Sequence, residues 1–137
     1  MSTGKRIRAA REAAGMTQAE VAEEIGVSAP SIRLYELDKR TPKPEILDKI
    51  AKAIGVDPQS LIEIEINSAR DALELLFRIE ESFGLTPNAD GTLIVDKKVK
   101  GSQKLDIAIS QWTQMHNDLK EGNITQEEYD SWKARVR

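Results

Sequence analysis

The sequence predicts an all-α protein. A bundle of five short helices fills residues 1–64. A mainly helical second part, residues 65–137, carries a small β-hairpin. Three observations lead there. Apolar residues recur at every third or fourth position through most of the chain, the spacing that lines one face of a helix. Ser, Thr or Asp precedes several of these runs and Gly follows them, marking starts and stops. Aromatic residues are only 4% of the chain and charged ones 31%, a balance that fits helices with solvated outer faces.

Residues 4–14 read as the first helix, with Ile7, Ala10 and Ala14 on one face and Gly15 at its end. Thr17 to Leu37, TQAEVAEEIGVSAPSIRLYEL, reads as two helices joined by a tight turn. Thr17 is a good N-cap, Glu20 can reach back to its amide, and Met16 and Val21 are placed as a hydrophobic staple. Gly26 lets the chain leave through a left-handed residue. Ser28 caps the next helix, with Val27 and Ile32 as its staple. Val21, Ile25, Ile32 and Tyr35 point inward, and Ala22 permits a close crossing. The product is a helix-turn-helix with one face of its second helix left outside. The run DKRTP forms a loop. Pro44 suits the first turn of a fourth helix. There Ile46, Leu47, Ile50, Ala51 and Ile54 make a wide stripe, stopped by Gly55. Asp57 and Pro58 start a short fifth helix, and the domain closes near Ile64.

In this order and spacing, GKRIRAAREAAGMTQAEVAEEIGVSAPSIRLYELDKRTPKPEILDKIAKAIGVDPQSLIE resembles the Cro and lambda-repressor-like DNA-binding domain of the xenobiotic-response-element family. The resemblance covers residues 4–64. It implies a lambda-repressor-like fold and a transcriptional regulator, most often a repressor. It also implies that Gln18 meets the DNA backbone, and that Arg11 and Glu36 form a partly buried structural ion pair between helices. Family members often carry Asn-Gly after the recognition helix; here Leu37 and Asp38 stand there.

With Ile32 and Tyr35 inward, Ala29, Pro30, Arg33 and Leu37 point out or flank the exposed face. Arg33 is the only long donor on it, and its fork matches O6 and N7 of guanine in the major groove. The alternative is that Arg33 pairs with an acid or a phosphate. Ala29 and Pro30 offer apolar contact alone. Ser28 and Ser31 bring hydroxyls near the groove, and Lys39, Arg40 and Lys43 flank it as phosphate contacts, unless they are an ordinary solvated charge run. Residues 1–64 carry ten basic and ten acidic side chains, but Arg33 to Lys43 has four basic against two acidic. A basic rim on a neutral domain suits site-specific binding to double-stranded DNA, while the net charge of −3 argues against non-specific coating of nucleic acid.

Residues 65–137 share nothing with that family. A helix from Asn67 to Phe83 is apolar over much of its surface (Ala69, Ala72, Leu73, Leu75, Leu76, Phe77, Ile79, Phe83), so it should be covered on more than one side. Asp90-Gly91 signals a turn and Leu93 to Val95 a short strand. Ser102 to Leu119 is amphipathic, with Leu105, Ala108, Ile109, Trp112, Met115 and Leu119 on one side. Thr125 and Glu128 pattern a capping box for a last helix that shows Tyr129, Trp132 and Val136 to its neighbour. LKEGNITQEEYDSWKARV is similar to short C-terminal helical modules of the SHOCT type, which implies a helical hairpin and no activity.

The exclusions are short. No cysteine is present, so disulfides and Cys-ligated metals are out. The single histidine, His116, reads as a surface or interface residue, and no metal or cofactor is expected. Trp112 and Trp132 read as packing residues between two helices. The acids make no catalytic pair and no Gly-rich phosphate loop occurs, so no enzyme is expected. No apolar run reaches membrane-spanning length and the first residues lack a secretory signal, so a cytoplasmic protein is expected. The expected function is a sequence-specific repressor that binds an inverted-repeat operator as a homodimer through residues 65–137. The rival is an antitoxin or adaptor whose second part binds a partner protein.

Overall fold

The computed structural model describes all residues, 1–137. The chain forms two compact units. The first is Met1–Ile64 together with Gln126–Arg137, and the second is Glu65–Thr125.

In the first unit, α1 (Thr3–Ala13), α2 (Gln18–Ile25), α3 (Ala29–Glu36) and α4 (Pro44–Ile54) surround one core, closed by a 3-10 turn at Pro58–Leu61. Ile7, Val21, Ile32, Ile50 and Leu61 are fully buried there, one from each element. Each such side chain contributes roughly 1.5–3 kcal/mol by leaving water. The helices start and stop as their residues dictate. Thr17 and Glu20 form the reciprocal capping box of α2, and Gly26 ends that helix at φ +74°. Pro44 sits in the first turn of α4, and Gly55 ends it at φ +87°. The expected fifth helix is only a 3-10 turn, which ends where Ile62 turns extended.

The expected boundary at residue 64 marks where the chain leaves this unit, but the unit takes in a later segment as well. The last helix, α7 (Gln126–Arg135), returns to it. The Asp57 amide donates to the Ala134 carbonyl at 2.9 Å, and Ala134 packs against the core. The periodicity of the last helix showed that one face must be covered. The partner that covers it was outside what spacing can say.

In the second unit, α5 (Ala69–Phe83) begins with Ser68 and Asp71 as a capping box and ends at Gly84, φ +76°. Two short strands follow, β1 (Leu85–Pro87) and β2 (Leu93–Val95). They are antiparallel, with Leu85 opposite Val95 and Pro87 opposite Leu93. Then comes α6 (Ser102–Lys120). This unit has almost no core: no residue of α5 is buried, and no large hydrophobic residue of 65–125 is buried. The stripe that should be covered on more than one side lies open. Leu73, Leu76, Phe77 and Phe83 are each exposed, as are Leu93, Ile94, Ile107 and Trp112. Trp112, expected as packing between helices, is 52% exposed.

Candidate nucleic-acid interface

The outward face of α3 is set by its N-terminus and its inward residues. Ser28 accepts from the Ser31 amide at 3.3 Å, and the two hydroxyls lie 2.8 Å apart. Ile32 and Tyr35 are buried, which turns Pro30, Arg33 and Leu37 to solvent. Ala29 and Ser31 are half-buried, and Ala29 packs partly on the core rather than standing free on the exposed face.

The C-terminal end of α3 is closed by two backbone bonds. The Asp38 amide donates to the Tyr35 carbonyl at 3.1 Å, and the Lys39 amide to the Leu34 carbonyl at 3.0 Å. This pair of bonds is the Schellman motif, whose first residue past the cap must be left-handed. Asp38 takes that conformation at φ +56°, as the only residue other than Gly with positive φ. Such a backbone costs an L-residue about 1 kcal/mol more than Gly. The carboxylate offsets it: Oδ1 accepts from the Gly4 amide at 2.9 Å and Oδ2 from the Ser2 hydroxyl at 2.5 Å. So Leu37 and Asp38 close α3 with the left-handed residue that Gly more often supplies. Gly4 is required by this approach, since a Cβ there would strike the carbonyls of Tyr35 and Glu36.

Behind α3, Arg11 and Glu36 make the implied ion pair. Arg11 Nε donates to Glu36 Oε1 at 2.5 Å and Nη2 to Oε2 at 3.1 Å, while Nη1 donates to the Met16 carbonyl at 2.8 Å. The side chains are 11% and 3% exposed. The hydrogen bonds that Arg11 donates to Glu36 raise the Arg11 pKa above its ordinary value, against the opposing effect of burial. Gln18 joins this network: its Nε2 donates to Glu36 Oε2 at 2.8 Å. The expected backbone-contacting glutamine is therefore held from behind by its amide nitrogen, at the first position of α2.

These bonds decide the charge of the outer surface. The two acids of the run Arg33 to Lys43 are both spoken for: Glu36 is buried on Arg11 and Gln18, and Asp38 is fastened to Ser2 and Gly4. The four cations of the same run, Arg33, Lys39, Arg40 and Lys43, are exposed and form no ion pair. The Arg40 guanidinium rests 5.9 Å from the centre of the Tyr35 ring. Apolar Pro30 and Leu37 lie on the same exposed surface. A cationic rim around a helix face of this width is able to meet phosphates and to put one guanidinium on base edges.

Sequence reasoning named the ion pair and the cations. It missed the Asp38 carboxylate as a bond to α1, and the second duty of Gln18. An Asp at the position after a helix cap signals the left-handed backbone, but nothing local signals the bond to α1. Elsewhere, no three His, Cys, Asp or Glu side chains converge as a metal ligand set, and no helix is long and apolar enough to cross a membrane.

Comparison with known proteins agrees with this geometry. Residues 7–61 match the family model described as Helix-turn-helix. The HTH-type transcriptional regulator ImmR of Bacillus subtilis (strain 168) is 41% identical over 51 residues. That match spans 37% of this chain and 40% of ImmR. A crystal structure of the P22 c2 repressor protein, in complex with synthetic operator 9T in the presence of Tl+, is 32% identical. It covers 46% of this chain and 96% of that one, with a TM-score of 0.44. Residues 7–61, with their two capped helices, their Gly26 turn and their buried Arg11–Glu36 pair, form a domain that matches the helix-turn-helix family.

Proposed function

We propose that the protein is a sequence-specific, DNA-binding transcriptional regulator, a repressor that holds an inverted-repeat operator as a dimer. One observation carries the DNA-binding part. The exposed face of α3 and the loop after it hold four cations that make no ion pair, while Glu36 is buried against Arg11 and Gln18 and the exposed Asp38 carboxylate is bonded to Ser2 and Gly4. The likeness of 51 residues of the chain to the transcriptional regulator ImmR supports the regulatory part. Arg33 reads a base. Lys39, Arg40 and Lys43 contact phosphates, with Gln18 and the hydroxyls of Ser28 and Ser31 setting register beside them.

The dimer rests on the second unit. Leu73, Leu75, Leu76, Phe77, Phe83, Leu93, Ile94, Ile107 and Trp112 are between 37% and 58% exposed. Together they are apolar surface that residues 65–125 leave to solvent, and a standard-sized interface takes about 800 Å² from each partner. A second copy would supply the core that residues 65–125 lack. It would also supply the two recognition helices that an inverted repeat with half-sites one turn of DNA apart, ~34 Å, requires. An adaptor or antitoxin would use the same open surface for a different protein.

Selection of binding sites from random DNA, followed by sedimentation of the protein with the selected duplex, tests this. The expected result is a palindromic site bound by two copies. Failure to enrich any sequence would remove the DNA-binding reading. A monomer on a single half-site would remove the dimer and favour a foreign partner.

A further inference from the structure

We infer that Asp38 is a positioning residue for DNA binding: its carboxylate clips the end of the recognition helix to the first turn of α1, and this holds Lys39 and Arg40 on the phosphates. The inference rests on the DNA-binding reading above, and concerns a residue that makes no contact with DNA in it.

Three observations converge on Asp38. Its backbone sits at φ +56°, where Gly would be at ease, so the residue type is not chosen for its backbone. Both carboxylate oxygens are used, one on the Gly4 amide at 2.9 Å and one on the Ser2 hydroxyl at 2.5 Å, 34 and 36 residues away in sequence. The next two residues are the loop cations, and both their amides, Lys39 at 3.0 Å and Arg40 at 3.3 Å, donate to the Leu34 carbonyl at the end of α3. The peptide groups that launch these two cations are therefore fixed to α3 on one side and, through Asp38, to α1 on the other. Gly4 lets α1 approach close enough for the clip, because any Cβ there would meet the Tyr35 and Glu36 carbonyls. Without the clip, the Schellman bonds alone hold the loop, and the two cations spend less time where a phosphate needs them.

A plain electrostatic argument gives the opposite expectation. An acid beside a phosphate-binding loop repels DNA, so removing it should tighten binding to every sequence. The two accounts differ in sign, which makes the test decisive.

The experiment uses the full chain and a duplex selected for the wild-type protein, with Asp38→Gly, Asp38→Asn and Ser2→Ala compared over a range of salt concentrations. Asp38→Gly removes the clip but relieves the left-handed backbone, so thermal stability should change little. Its affinity should fall about tenfold, with a salt slope smaller by roughly one per half-site. Asp38→Asn keeps a carbonyl oxygen for the Gly4 amide and should stay within about threefold of wild type. If Asp38→Gly does not fold, Ser2→Ala carries the test: it removes one of the two bonds, together with the α1 cap on the Lys5 amide, and should weaken binding about threefold with a reduced slope, while Ser2→Thr, which keeps the hydroxyl, should bind as wild type. Unchanged or tighter binding by Asp38→Gly, or by Ser2→Ala in its place, with an unchanged slope overturns the inference. A wild-type protein that selects no DNA overturns the DNA-binding reading itself, an outcome distinct from a variant that binds as well as wild type.

Discussion

Arg11 and Glu36 face each other across the first unit in a two-armed pair, with both arms made and almost no solvent reaching either side chain. The pair joins α1 to the last turn of the recognition helix. Gln18 and the Met16 carbonyl complete it. Removing the cation leaves a buried carboxylate with only an amide for company. Arg11→Ala should therefore cost about 3–5 kcal/mol in urea unfolding. A loss below about 1 kcal/mol, the range of exposed pairs, would show that solvent already screens it.

Arg33 and the loop cations should separate in their effects on DNA binding. Arg33 projects from the exposed face of α3 itself, whereas Lys39 and Arg40 lie past its end. Arg33→Ala should cost about 1–3 kcal/mol on the preferred site and relax the choice at one base pair per half-site. Lys39→Ala and Arg40→Ala should weaken all sequences about equally, each lowering the salt slope by roughly one per half-site. Binding to single-base variants of the site at several salt concentrations reads both effects. If Arg33→Ala alters only the slope, Arg33 is a phosphate contact, and specificity passes to Ala29, Pro30 and DNA shape.

The open stripe of α5 should be where the second copy sits. Phe77 is 43% exposed and Leu76 39%, so a charge at either leaves the fold of one chain intact. Leu76→Glu and Phe77→Glu should convert a sedimenting dimer to monomer while the thermal transition of the first unit stays in place. They should also weaken operator binding by at least tenfold, since each half-site is then bound alone. A Phe77→Glu protein that remains dimeric at micromolar concentration counts against this surface.

Acid should loosen the start of α5. The Asp71 carboxylate accepts from the Asn67 and Ser68 amides, both at 3.0 Å, which holds its pKa below the ordinary 3.8. A folded-state pKa below the unfolded one means that the stabilisation is present above the ordinary value and is lost as pH falls through the lower, folded one. Helicity followed by circular dichroism should drop over that window in the wild type. In Asp71→Asn the drop should be smaller, and the helix should already be weaker at neutral pH.

Much of the first unit could be read from the sequence because its signals are local. Thr17 with Glu20, Gly26, Ser28 and Pro44 each act within a few residues, and each did what its chemistry requires. The Arg11–Glu36 pair spans 25 residues and entered through family resemblance, not through spacing. The misses are long-range or depend on several residues at once. The bonds of Asp38 to Ser2 and Gly4 need α1 and α3 already packed. The docking of α7 depends on one small residue, Ala134, and on the Asp57 amide. In the second unit the apolar spacing was read correctly, but spacing cannot say whether a stripe is covered by its own chain.

The return of α7 also sets an order of events during synthesis. A domain at the start of a chain ordinarily folds as it emerges, before later segments exist. Here the helix that donates Ala134 to that domain is made only after all of 65–125 has been translated. The recognition helix can form early, but the wall behind Val56 and Leu61 is finished late. Every newborn copy thus passes through an interval in which residues 65–125 are complete while the first unit still lacks its last helix.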